Sequence, residues 1–220
     1  MSKEDNLFRA IWADNPRAAK RAISMGADVN ARNVMDRTPL HAACIKNRPA
    51  IVRMLLDAGA RVDIAGLPSA HEWNLLQITC IEGYTDIARL LLDAGADVET
   101  PDVDGRRPLH LACENGYSDI TQVLLDHGAD VNGLNEDGRT PLHVACSDIG
   151  YINSAPLLLD HGADATIRDS DGFTPLHRLL AWNSEDPVKE DIIDWYREHH
   201  PELVMEAYCT QIPPGQGQGT

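Results

Sequence analysis

The chain has 220 residues, of which 43% are hydrophobic and only 5% aromatic, so its core must be built from Leu, Ile, Val, Ala and Cys. The formal net charge of −15 is uneven: residues 1–66 hold eleven Lys/Arg against seven Asp/Glu (net +4), residues 67–220 eight against twenty-seven (net −19). Such a field repels nucleic-acid phosphates over most of the surface, and no run approaches the roughly 18 apolar residues of a membrane-spanning helix, which sets aside nucleic acid and membrane as partners.

Six similar units follow one another along the chain. The first, about 5–34, begins with Leu7, Phe8 and Ile11 and closes on GADVN at 26–30. The second, 35–68, opens with TPLHAAC at 38–44 and closes on GARVD at 59–63. The third, 69–101, carries NLLQITC at 74–80 and GADVE at 95–99. The fourth, 102–134, repeats RPLHLAC at 107–113 and GADVN at 128–132. The fifth, 135–168, repeats TPLHVAC at 140–146 and GADAT at 162–166. The sixth, 169–200, has TPLHRLL at 174–180 and then DPVKEDIIDWYREHH, an amphipathic closing helix. Residues 201–212 are expected to add a short helix, and the final PPGQGQGT reads as disordered. The chain is thus expected to be one domain over 1–205, followed by a tail at 206–220.

The physics of one unit predicts a helix pair. Thr140 can cap a first helix with its hydroxyl, and Pro141 fits the first turn, where no N–H is needed. Leu142, Ala145 and Cys146 then share one face. Ile120, Val123 and Leu124 do the same for a second helix, and Gly128 suits its left-handed end. Asp-Gly pairs at 104–105, 137–138 and 171–172 suit short hairpin tips. No such pair buries its own apolar face, so stability must come from stacking on its neighbours.

Cysteine spacing keeps step with the repeat. Cys44, Cys80, Cys113 and Cys146 lie 36, 33 and 33 residues apart. Equivalent points on stacked helices are about 8–10 Å apart, beyond the roughly 7 Å Cα reach of a disulfide, so these read as a buried ladder of reduced thiols.

With these motifs the sequence resembles the ankyrin-repeat family over roughly residues 5–205. The resemblance implies an all-α ankyrin-repeat solenoid of about six helix-turn-helix repeats with short hairpin loops. It also implies a non-catalytic scaffold that binds a protein or peptide on a concave face made of hairpin tips and the exposed side of the first helices. Carried over by position, that face includes Met35 and Arg37, then Trp73 and Ile81, Arg106 and Glu114, Asp137 and Arg139, and finally Phe173 and Trp182. Arg106 and Arg139 fall in the same slot of adjacent repeats, able to clamp a carboxylate or to pair with Asp104 and Asp137. The resemblance further marks Asn30 and Asn132 as positions where asparaginyl hydroxylation occurs in such proteins.

The third repeat departs most from the pattern: IAGLPSAHEW between Asp63 and Asn74 is three residues longer than its counterparts, Asn74-Leu75 replaces Thr-Pro, and Gln77 replaces His. This is either a tolerated loop insertion or a binding feature centred on Trp73. In the fifth repeat Pro156 either kinks the second helix or sits in its first turn, if that helix starts near Ser154.

Chemistry finds little support. His41, His110, His143 and His177 recur one per repeat, as expected of local bonds to backbone rather than of groups converging on one point. No zinc spacing, phosphate loop or nucleophile elbow is present, so no enzyme, no cofactor and no metal site is expected, and His199, His200, Glu198 and Glu202 read as a solvated end. The MSKEDNLFRA start carries acids where a signal peptide would have a basic head, which predicts a cytoplasmic protein. A monomer is expected, with an apolar amino-terminal face as the surface able to self-associate. The charge favours a basic partner. It leaves room for two rivals to a general adaptor: an acidic chaperone or inhibitor dedicated to one basic protein, and a regulatory subunit of an enzyme assembly.

Overall fold

Proline decides where most helices start. The computed structural model describes residues 2–62, 73–147, 152–181 and 187–211, and every described element is helical. The chain falls into two compact units, Met1–Val103 and Asp104–Thr220.

In the amino-terminal unit three helix pairs follow in order. They are α1 (Lys3–Trp12) with α2 (Pro16–Ser24), α3 (Pro39–Ile45) with α4 (Pro49–Asp57), and α5 (Leu75–Glu82) with α6 (Thr85–Asp93). The helix α1 packs on α2 and α3, α3 on α5, and α4 on α2 and α6. Leu7, Ile11, Leu40, Ile51, Leu55, Ile87 and Leu91 are fully buried between the pairs. Each such aliphatic side chain contributes about 1.5–3 kcal/mol of burial, which no pair achieves alone. The caps are local: the Ser2 hydroxyl accepts from Asp5 N–H at 3.0 Å, and the Thr38 hydroxyl from His41 N–H at 3.3 Å.

The carboxy-terminal unit holds α7 (Pro108–Glu114), α8 (Ser118–Asp126), α9 (Pro141–Ala145), α10 (Ala155–Asp160), α11 (Pro175–Ala181), α12 (Pro187–His199) and α13 (Pro201–Gln211). A single 3-10 turn, Ile152–Ser154, leads into α10 and places Pro156 in that helix's first turn, the non-kinking alternative. The closing segment is α12, and α13 packs on both α11 and α12 with Leu203, Val204 and Ala207 buried.

In the fourth and fifth repeats one histidine ties the repeat to the next. His143 Nδ1 accepts from the Thr140 backbone N–H at 3.1 Å and lies 2.8 Å from the Thr140 hydroxyl. The ring proton therefore sits on Nε2, which donates to the Phe173 carbonyl of the next repeat at 3.0 Å. His110 makes the same reach to the Arg139 carbonyl at 2.9 Å. In the third repeat Gln77 replaces the imidazole and keeps the helix cap, but its donor bond stays within the same repeat. Its Oε1 accepts from Asn74 N–H at 2.8 Å and its Nε2 donates to the Thr100 carbonyl at 3.0 Å. The Asn74-Leu75-Leu76-Gln77 departure is thus a structural substitution.

The cysteine ladder lies in the core: Cys44, Cys80, Cys113 and Cys146 are buried, and no disulfide joins them. Burial pushes the Cys44 thiol up, and the Cys113 and Cys146 thiols to about 12, so they stay protonated and unreactive.

Candidate partner-binding face

The tips are built from their base. At the tip that leads into the second repeat, Asn33 Oδ1 accepts from the N–H groups of Met35 (2.9 Å) and Arg37 (3.1 Å). Asn135 Oδ1 accepts likewise from Asp137 (3.0 Å) and Arg139 (2.9 Å), and Asp169 Oδ1 from Asp171 (3.1 Å) and Phe173 (3.0 Å). Successive tips in the carboxy-terminal unit are laced by backbone bonds, Glu136 N–H to Asp104 O at 3.3 Å and Ser170 N–H to Asp137 O at 2.9 Å. Gly105 has φ of +70°, and a Cβ there would stand 2.8 Å from the Glu136 nitrogen, so this tip requires glycine.

On the amino-terminal unit the tip and helix-end positions are apolar. Val34 and Met35 are 103% and 65% exposed, and Arg37 is half-buried at the base of the same tip. Trp73 is 40% exposed and lines a cavity of about 300 Å³ with Asn74, Gln77, Thr100, Pro101, Asp102 and Val103. Ile81 is half-buried at the end of α5. Trp12, at the end of α1, is 49% exposed with the Lys46 ammonium 4.5 Å from its ring centroid. Trp12 stands 33 residues before Ile45, which stands 36 before Ile81, the intervals of the repeat.

On the carboxy-terminal unit the corresponding positions are charged. Arg106 pairs with Glu114 at 3.2 Å and Asp104 at 3.3 Å, and Arg139 with Asp137 at 3.8 Å and Asp169 at 3.7 Å. The in-register arginines are therefore engaged by their own neighbours. Arg106, Glu114, Asp137 and Arg139 together line one cavity of about 230 Å³, along with Asp104, Asn135, Glu136 and Val144. Phe173 lies outside it, 40% exposed, under the Arg178 guanidinium at 4.9 Å. Trp182 falls outside the described residues, as do residues 63–72, which hold most of the third-repeat insertion.

Asp169 anchors this region. Its side chain is 1% exposed, and its Oδ2 accepts from Arg178 Nε at 2.8 Å and Nη2 at 2.6 Å, while Arg178 also bonds Asp171 at 2.6 Å. Burial pushes the carboxyl up, but the Arg178 bonds and the Phe173 N–H outweigh it and hold it below the usual range.

Three positions escaped the residue-level reading. Trp12 was legible as the register partner of Ile45 and Ile81, but its repeat lacks the TPLH that sets the alignment. Asp169 stands in the register of Asn135, and Arg178 follows TPLH directly, without any spacing signal that joins the two.

Stacked helix pairs with laced tips define a repeat protein. The chain belongs to the ankyrin-repeat family: the model for ankyrin repeats (3 copies) matches residues 7–102, 76–169 and 133–190. Among curated proteins it is similar to a putative ankyrin repeat protein of fowlpox virus (43% identical over 58 residues, 26% of this chain and 13% of that protein). It is also similar to human protein fem-1 homolog C, at 44% over 45 residues, 20% of this chain and 7% of the relative. Mouse protein phosphatase 1 regulatory subunit 27 is 38% identical over 59 residues, 27% of this chain and 38% of that protein. The matched segments thus span well under two thirds of each of these relatives. Among the described residues no helix is long and apolar enough to cross a membrane.

Proposed function

We propose that the chain is a protein-interaction scaffold whose tips and first-helix ends bind a protein or peptide segment. The observation that carries this reading is the column Trp12, Ile45, Ile81: helix-end side chains that remain partly exposed although the faces beside them are buried. Aromatic side chains left in such positions are typical anchors of an interface. In this reading the amino-terminal unit takes apolar side chains of the partner, with Trp73 and Met35 beside the column. The carboxy-terminal unit takes basic ones: the cavity beside Arg106 and Arg139 carries Asp104, Glu114, Glu136 and Asp137 against two arginines. Phe173 adds an apolar contact at the last tip.

The test is affinity capture from a native cell extract, comparing the wild type with a Trp73→Ala/Arg106→Ala/Arg139→Ala variant of unchanged melting temperature. A protein retained by the wild type and lost by the variant supports the face; the same proteins held by both remove it. Elution at moderate salt separates a dedicated acidic chaperone or inhibitor from a general adaptor.

A second reading, that the partner is an enzyme under the chain's control, draws on the likeness to the phosphatase regulatory subunit. It predicts that purified chain changes the turnover of the captured enzyme.

A further inference from the structure

The amino-terminal helix pair packs on α3 and α4 with its inner face and turns an outer face away from them. Between α1 and α2 that outer face forms a trough of about 420 Å³. That volume lies within the range, about 300–1,000 Å³, of pockets that take up whole small ligands. Its floor is made of small and flexible apolar groups, Ala18, Ala22 and the 55% exposed Met25. Its rim is cationic: Lys3, Arg9 and Arg21 line the trough. Among the described residues none of the three is held in an ion pair, unlike Arg106, Arg139 and Arg178, which are all engaged by carboxylates. Three solvated cations around an apolar floor select an occupant with acids flanking apolar side chains.

The same chain carries such a surface in its carboxy-terminal unit. The helix α13 turns Leu203, Val204 and Ala207 inward and leaves Met205 68% and Tyr208 45% exposed. Glu202 is exposed one turn from Met205, and Glu198 at the end of α12 is exposed as well. Residues 187–211 hold six Asp/Glu against two Lys/Arg, whereas residues 2–25 hold five Lys/Arg against three Asp/Glu. We infer that the trough is a docking surface for a second copy of this chain, which inserts Met205 and Tyr208 of α13 with Glu198 and Glu202 facing Arg9, Lys3 and Arg21. The contact joins two different surfaces, so it is heterologous: each copy offers one trough and one α13. The long-range repulsion between two chains of charge −15 is screened at physiological ionic strength, where the Debye length is about 8 Å, while the local charge pairing is short-ranged.

The experiment is light scattering on size-exclusion fractions of the full chain, from micromolar to several hundred micromolar. The wild type should rise with concentration about twofold or more above the 24.1 kDa of one chain. Arg9→Glu/Arg21→Glu and, separately, Glu198→Lys/Glu202→Lys should each stay at the mass of one chain, with helical content and melting temperature unchanged. An equimolar mixture of the two variants restores complementary heterologous contacts and should assemble again. A wild type that keeps the mass of one chain throughout overturns the inference. So does assembly of either variant alone to the wild-type extent, or a mixture that fails to assemble while the wild type does.

Discussion

The two units run the same local grammar and differ where folding leaves a position free. At the helix-end register the amino-terminal unit carries Trp12, Ile45 and Ile81, and the carboxy-terminal unit Glu114. At the tips, Val34 and Met35 face solvent in the first, while Asp104 and Asp137 occupy the second with arginines locked beside them. Burial in the core cannot explain either choice, because these side chains stay partly outside it. The lesson is that Leu, Ala and Cys at the buried register build the stack, and the column next to them is where the two units take on different surface chemistry.

The largest effect should come from the carboxyl group that holds the carboxy-terminal tips. Asp169→Ala removes both the tip base and the Arg178 bonds, and should cost roughly 3 kcal/mol in urea unfolding. Asp169→Asn keeps an acceptor for the Asp171 and Phe173 N–H groups, as Asn135 does in its own tip, and should cost only about 1 kcal/mol because Arg178 is partly solvated. Equal losses would mean that the charge, not the tip, stabilises this region.

Next in size is the contrast between the columns once a partner is in hand. Trp12→Ala/Trp73→Ala should weaken binding by about 2 kcal/mol, roughly 30-fold, at any salt concentration, measured by calorimetry. Glu114→Gln/Asp137→Asn should lose only a few-fold, and chiefly flatten the salt dependence of the association rate. The opposite pattern would reverse the assignment of the two faces.

The smallest effect concerns the buried histidines that follow the Thr-Pro-Leu caps. Burial lowers the pKa of His143 and of His177 below the ordinary imidazole value of about 6.5. With folded values depressed, their contribution to stability is full above the unfolded pKa and is lost as pH falls through the folded values. The melting temperature should therefore decline between pH 7 and 5, ahead of carboxylate protonation. His143→Gln, which copies Gln77, should lessen that decline. An unchanged slope would remove the imidazole as its source.

These comparisons also mark what the sequence could convey. The helix pairs and their order were legible because Pro, Thr and the GAD segment repeat at fixed intervals, and each has a local physical role. Pro156 left two readings open, and the 3-10 turn before it settles them in favour of the first helical turn. The third repeat adds a local case. Gln77 keeps the acceptor that a histidine offers to its own cap, but its donor bonds Thr100 of the same repeat, where His143 reaches the next one. Asp169, Arg178 and Arg139 were not legible as a cluster, because their meeting depends on how two tips are laced. Trp12 was hidden by the missing TPLH of its repeat, although its 33-residue offset from Ile45 pointed to it.

The most direct test is hydrogen–deuterium exchange of the chain with and without its captured partner. The account predicts slowed exchange at tip amides of residues 33–37, 103–106, 135–139 and 169–173 and at the ends of the first helices α1, α3 and α5. Protection confined to the second helices α4, α6 and α8, with the tips unchanged, would contradict it.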